Sequence, residues 1–152
     1  MKNPDILSEG VHHTAIHLGK MENLAEYTMI HPKLQTEVKG KIFTGEKLKS
    51  TGSEISFTVL PPYKEIPFIH QHHRHEEIYV ILKGSGQFRV DDATFDISEG
   101  TVIRVSPEGK RTYRNTSPEP LIFLCIQSCH GSLQGFNVSD GFRTPGETAW
   151  GT

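Results

Sequence analysis

The chain has 152 residues, of which 16 are basic and 18 acidic, so its length suits one domain with a buried core and its net charge is only −2. The basic residues are scattered and form no stripe, which excludes the usual electrostatic footprint of a nucleic-acid-binding protein. No apolar run is long enough to span a bilayer, and the first residues lack the apolar segment of a signal peptide, so we expect a soluble, cytoplasmic protein with no membrane partner.

Residues 1–40 are weakly patterned and are interpreted as an N-terminal extension. A short helix is predicted at 22–30, and Pro32 is expected to end it. Five histidines of the chain have no metal-like context and are expected at the surface: His12, His13, His17, His31 and His130.

Residues 41–130 contain short β-rich runs, separated by turn residues at intervals of roughly ten, which predicts an all-β sandwich or barrel. The predicted strands are 41–44, 54–60, 68–72, 78–82, 87–90, 94–97, 101–105, 111–115 and 121–127. Many short antiparallel strands need to hide their edges, and a closed barrel or jelly roll does so. The last residues, 131–152, are rich in glycine and polar side chains and are interpreted as a C-terminal segment with one more strand near 135–138.

Two cysteines, Cys125 and Cys129, lie at the end of the last predicted strand. Four residues along a strand cover ~13 Å, whereas a disulfide requires Cα atoms within ~7 Å of each other. We therefore expect two reduced thiols, at least one of them in the core.

A cluster of histidines precedes the fourth predicted strand. His70 and His72 are two residues apart, so in a strand both imidazoles point to the same side. Glu77 follows and adds a carboxylate. Two histidines and one carboxylate with open positions suit Fe(II), Mn, Ni or Zn, and the open positions can take substrate, water or dioxygen.

The neighbouring residues distinguish two interpretations of this cluster, an inward-facing site and a set of exposed loop histidines. A lone His-x-His pair is usually an exposed loop feature, but here an apolar run precedes the pair and a carboxylate opens the next strand. The sequence therefore favours an inward-facing polar cluster. His73 and His75 fall in the bend and are expected at its rim, and Glu76 is expected to face outward.

These residues resemble the first motif of the cupin family: His70-Gln71-His72, four residues, Glu77, six residues, Gly84. The glycine with which that motif begins is absent here. The second motif is matched by Gly100, six residues, then Pro107-Glu108-Gly109, and later Asn115. The resemblance covers about residues 53–128. It implies a double-stranded β-helix, or jelly-roll, barrel in which His70, His72 and Glu77 bind a divalent metal.

The second motif departs from the family at one residue, because Arg111 occupies the position of the family's fourth ligand, a histidine. A guanidinium is always protonated and offers no lone pair, so it cannot coordinate a metal. It also repels a cation, by ~4 kcal/mol for unit charges 4 Å apart at an effective dielectric of 20.

Three arrangements of Arg111 are open on the sequence alone. In the first, three ligands hold the metal and Arg111 presents its fork to a carboxylate or phosphate of a substrate. In the second, Arg111 forms a salt bridge with Glu77 where the metal would lie, and the pocket is metal-free. In the third, Arg111 faces outward. Strand alternation favours Arg111 inward, because Tyr113 and Asn115 then share its face.

Two functions follow from this motif. The first is a small metal-binding cupin that binds or acts on a small, anionic polar metabolite, with Arg111 and Tyr79 as substrate-binding candidates; Tyr79 is otherwise a core aromatic with a satisfied hydroxyl. The second is a metal-free, non-catalytic module that binds a sugar or another small molecule. Similar barrels often pair through sheet faces or exchanged N-terminal strands, so the resemblance also implies a homodimer with contacts from residues 1–40.

Overall fold

The computed structural model describes residues 2–31, 35–135 and 139–146, and the predicted all-β class is confirmed. The strands in these ranges are β1 (Asp5–Gly10), β2 (His13–His17), β3 (Thr28–Ile30), β4 (Glu37–Lys39), β5 (Lys41–Phe43), β6 (Ser53–Leu60), β7 (His75–Lys83), β8 (Ser85–Val90), β9 (Ala93–Ser98), β10 (Val102–Val105), β11 (Arg111–Asn115) and β12 (Leu121–Cys129). A 3₁₀ helix spans Met21–Glu26, and the α-helix α1 spans Gly45–Leu48. None of the helices in the described ranges has the length and apolar character needed to cross a membrane.

Two antiparallel sheets enclose the main core. One has the strand order β10-β7-β12-β6-β5 and the other the order β11-β8-β9. The core draws apolar side chains from both sheets: Leu60, Tyr79, Ile81, Phe88, Ile97, Ile103, Val105, Tyr113, Leu121, Phe123 and Cys125. Every second residue along each strand points to this core, as the pleat of a strand requires.

The N-terminal extension covers the outer face of the larger sheet. Leu18, Leu24 and Tyr27 pack against Val59 and Ile122, which point away from the main core. β6 and β12 are therefore buried on both faces. Sequence patterning gave no strand here, yet the extension forms two hairpins, β1–β2 and β3–β4.

The helix predicted at 22–30 is wrong in its second half. The chain leaves the 3₁₀ helix after Glu26, and Thr28, Met29 and Ile30 pair with β4 instead. Two of these three residues are β-branched, which favours a strand once a partner is present. Pro32, which was expected to end the helix, lies outside the described residues.

The strand predicted at 68–72 is also wrong, because this segment joins the smaller sheet only through isolated bridges. Glu65 is bridged to Arg114, and His70 to Arg111. Pro67 directly precedes the segment; because proline has no backbone N–H, it removes one donor from a ladder here.

The other predicted strands between residues 41 and 130 are present with ends shifted by a few residues. The turn between β7 and β8 depends on glycine: Gly84 has a φ of 85°, and a Cβ there would collide with the carbonyl oxygen of Pro120. Both cysteines are free, Cys125 buried and Cys129 exposed, as predicted. The strand predicted near 135–138 falls mostly outside the described residues.

Candidate functional site

The three predicted metal ligands lie together at one end of the main core. One ligand atom from each of His70, His72 and Glu77 lies within 4.8 Å of the others. His72 Nε2 is 3.1 Å from Glu77 Oε1, and His70 Nε2 is 3.6 Å from Glu77 Oε2. The carboxylate is buried, whereas both imidazoles are about one-quarter exposed, at 28% and 25%. The cluster is thus reached from solvent through the histidines.

Backbone hydrogen bonds fix the two histidines although their segment is not a strand. The amide of His70 donates to the carbonyl of Arg111 at 3.1 Å, and the amide of Arg111 donates back to the carbonyl of His70 at 2.9 Å. The amide of His72 donates to the carbonyl of Pro107 at 3.0 Å. An extended segment held at both positions keeps the i, i+2 orientation that the sequence predicted.

Arg111 points inward and is fully buried, so the outward arrangement is wrong. Its Nε donates to Glu77 Oε2 at 3.0 Å, and its Nη1 donates to the carbonyls of Gly109 and Pro107 at 2.7 and 3.3 Å. Tyr113 and Asn115 are buried on the same face, as strand alternation predicted. Nη2 of Arg111 is buried and has no hydrogen-bond partner among the described residues.

Three further side chains contact the Glu77 carboxylate. The Tyr79 hydroxyl donates to Oε2. Gln127 Nε2 donates to Oε1 at 2.9 Å, and the Cys125 thiol donates to the same oxygen at 3.4 Å. The sequence analysis did not single out Cys125 or Gln127 for this site, because their role depends on the register that places Gln127 opposite Glu77 and Cys125 opposite Tyr79. Only their i, i+2 spacing was visible as a signal.

These contacts keep Glu77 ionised. Burial alone would raise the pKa of this carboxyl group, but hydrogen bonds from His70 and Tyr79 and the positive charge of Arg111 outweigh it, so the pKa lies well below its usual range. Burial and the neighbouring Glu77 charge raise the pKa of the Tyr79 hydroxyl, which therefore remains a donor. The same two causes raise the pKa of Cys125, which is therefore an unreactive thiol.

The His72 imidazole is in the form that a metal requires. Burial lowers the pKa of His72 more than the charge of Glu77 raises it, so His72 is neutral at neutral pH. Its Nε2 lies 3.1 Å from Glu77 Oε1 without the geometry of a hydrogen bond, and the Nδ1 of His70 is buried without a hydrogen-bond partner among the described residues. A neutral imidazole with a free lone pair is a metal ligand rather than an ion-pair partner.

The donor atoms fit a divalent metal in spacing and in type. Ligands bonded ~2.1 Å from one ion lie about 3.0–3.4 Å from each other. The 3.1 Å separation of His72 Nε2 from Glu77 Oε1 is in this range, and the 3.6 Å separation of His70 Nε2 from Glu77 Oε2 is slightly wider. Two imidazoles and a carboxylate suit Fe(II), Mn, Ni or Zn. Arg111 opposes such an ion, because its charge already neutralises Glu77.

The remaining histidines near the site lie where the sequence predicted. His73 and His75 are exposed at the entrance to β7. Glu76 points away from the core, where it accepts hydrogen bonds from Arg104 at 2.8 Å and pairs with His130 at 3.1 Å. This outer pair of Arg104 and Glu76 has the same chemistry as Arg111 and Glu77 but lies in solvent.

The family-model comparison identifies one family. The family model described as Cupin domain matches residues 56–127. A crystal structure of a cupin protein from Bacteroides fragilis is similar over 69% of this chain and 89% of its own, with 37% identity and a TM-score of 0.66. A predicted oxalate decarboxylase from Thermotoga maritima is similar over 62% of this chain and 83% of its own, with 25% identity and a TM-score of 0.54.

A curated relative adds no activity. It is an uncharacterized protein of Methanocaldococcus jannaschii, 28% identical over 97 residues, which are 64% of this chain. The match spans 66% of the length of that relative.

Proposed function

Because this chain belongs to the cupin family, as its two motifs predicted, we propose that it binds a small, anionic polar metabolite at a divalent metal held by His70, His72 and Glu77. The observation that carries the proposal is the convergence of two imidazoles and one ionised carboxylate within 4.8 Å. The likeness to a protein described as a predicted oxalate decarboxylase supports a small acid as the ligand class.

Each residue has a distinct role in this proposal. His70, His72 and Glu77 would hold the ion, which when bound would supply a Lewis acid for an oxygen of the ligand. His70 and His72 would give imidazole nitrogens, and Glu77 would give the negative charge that an ion requires. Arg111 holds Oε2 of Glu77 in place and keeps its Nη2 for an acidic group of the ligand. The Tyr79 hydroxyl is already engaged by Glu77, so we assign Tyr79 to positioning that carboxylate.

Replacing His72 by alanine tests the metal site. We expect one equivalent of metal per wild-type chain after reconstitution with Fe, Mn, Ni or Zn salts. His72→Ala is expected to weaken affinity by at least about 100-fold, because even an outer-shell partner of a ligand is worth 10–100-fold. Elemental analysis of tag-free protein measures the content, and His73→Ala, one residue along and exposed, should bind like the wild type. Wild-type protein that takes up none of the four metals contradicts the proposal.

A metal-free binding module is the second candidate, and one contact favours it. Arg111 Nε lies 3.0 Å from Glu77 Oε2, so the carboxylate has a counter-charge without any metal. A thermal-shift screen with small acids in the presence of EDTA, followed by turnover assays, separates the two candidates. Stabilisation without turnover and without metal favours the module, whereas turnover that is lost on chelation favours the metal site.

We also propose a homodimer that uses the N-terminal extension. The β1–β2 hairpin exposes Ile6, Leu7 and Val11, the last to 94%; contact with a second copy would cover these side chains. Light scattering should give twice the monomer mass of 17.1 kDa. The Leu7→Asp variant should instead give the mass of a single chain. A wild-type mass near 17.1 kDa contradicts this assembly.

The free Cys125 and Cys129 support a reducing compartment such as the cytoplasm.

A further inference from the structure

We propose that Lys41 and Thr58 form a second anion-binding position inside the barrel and take an acidic oxygen of the bound ligand. The inference rests on the proposed function for the presence of a small anionic ligand, but it does not depend on the metal. Neither residue was a site candidate on sequence grounds, and neither belongs to the histidine and carboxylate cluster.

The register of the larger sheet places both side chains on its inner face. Thr58 on β6 lies opposite Phe123 on one side and opposite Lys41 on the other. Phe123 belongs to the main core, as does Leu60, two residues after Thr58. Because directly opposite residues in a sheet share a face, Lys41 points from β5 toward the same interior.

Lys41 is a partly buried cation that no carboxylate pairs with in the described part of the chain. Its Nζ lies 4.9 Å from the ring centroid of Phe43, a weak substitute for a counter-ion. Burial lowers the pKa of Lys41, while the charge of Glu77 acts in the opposite direction. Lys41 is thus within electrostatic reach of the site, but Glu77 already accepts hydrogen bonds from other donors.

Thr58 provides the second observation. Its side chain is 8% exposed, and its Oγ1 is buried with no hydrogen-bond partner among the described residues. A buried hydroxyl without a partner is unusual in a folded protein and calls for an explanation. An anionic oxygen between the two strands would accept hydrogen bonds from both Oγ1 and Nζ.

The charges of the interior select the kind of ligand. Glu77 and Arg111 neutralise each other through their ion pair, which leaves the ammonium of Lys41 as an excess positive charge. A carboxylate or a phosphate group supplies the missing negative charge and the acceptor oxygens together. A neutral sugar would leave the ammonium unpaired.

Titration calorimetry on EDTA-dialysed protein tests the position, with acetate and inorganic phosphate as probes at constant ionic strength. We expect the wild type to bind at least one probe, and the probe that binds identifies the acidic group. Lys41→Met is expected to lower that affinity at least about tenfold, since a charged hydrogen bond is lost. Thr58→Val should lower it severalfold, and Lys47→Met, which removes an exposed lysine on α1, should leave it unchanged.

Stability gives a second readout that a purely structural lysine would not show. Lys41→Met removes an uncompensated cation, so its ligand-free melting temperature should equal or exceed that of the wild type. Wild-type affinity in both Lys41→Met and Thr58→Val overturns the role of this pair and leaves the proposed function standing. Failure of the wild type to bind either probe overturns the anionic ligand class as well, whereas metal content is decided separately by His72→Ala.

Discussion

Replacing Arg111 by methionine is expected to lower the free energy of unfolding of the metal-free protein by about 3–5 kcal/mol at neutral pH, the usual cost of breaking a buried ion pair. The variant leaves the Glu77 carboxylate buried without its cation and frees the carbonyls of Gly109 and Pro107. Urea unfolding in EDTA measures the loss. Glu77→Gln in the Arg111→Met background should recover part of it, because no charge is then left unpaired.

The outer pair supplies the control for this measurement. Arg104→Met removes a similar contact to Glu76, at 2.8 Å, but at the surface. Exposed ion pairs contribute ~0–1 kcal/mol, so this variant should lose little. Equal losses in Arg104→Met and Arg111→Met would contradict the importance given to the buried pair.

The loss in Arg111→Met should depend on pH in a defined direction. The pKa of Glu77 in the folded protein lies below its ordinary value of 4.5, so its ionised contacts stabilise the fold fully above that value and less as the pH falls below it. A protonated Glu77 needs no cation. The difference between wild type and Arg111→Met should therefore be largest where Glu77 is ionised in both proteins and shrink as the pH falls and Glu77 becomes protonated in the variant.

Replacing Arg111 by histidine is expected to tighten metal binding at least about tenfold over the wild type. The change removes a repelling charge, worth several kcal/mol near a divalent ion, and places an imidazole where the resemblance puts the family's fourth ligand. Competition against a chelator measures the affinity, and Arg111→Met separates the two effects because it only removes the charge. If Arg111→His binds metal no more tightly than Arg111→Met, the residue at this position does not face the ion.

The sequence predicted the centre of the site well because its information is local. The spacing of His70 and His72 alone predicts that both side chains point to the same side. Arg111 could be predicted to point inward because it alternates along the strand with Tyr113 and Asn115. The strand predicted for 68–72 failed beside Pro67, which removes a backbone donor. Residues 68–72 form no continuous ladder of hydrogen bonds, but both histidines keep the orientation predicted for a strand.

Features that depend on long-range pairing could not be predicted. The roles of Gln127 and Lys41 depend on the strands that pair with theirs, since Gln127 lies opposite Glu77 and Lys41 lies opposite Thr58. The four strands of residues 1–40 were missed for the same reason. Their sequences are weakly patterned, and pairing and packing on the outer face of β6 stabilise them.

The reciprocal bridge between His70 and Arg111 has a consequence for amide hydrogen exchange. Each residue donates its amide to the carbonyl of the other, so separation of the histidine segment from β11 would expose both amides. The two amides should therefore show similar protection against exchange, which reports the free energy needed to separate the histidine segment from β11. A bound ion that ties His70 to Glu77 would slow both amides together, so one exchange measurement would report the opening of the site.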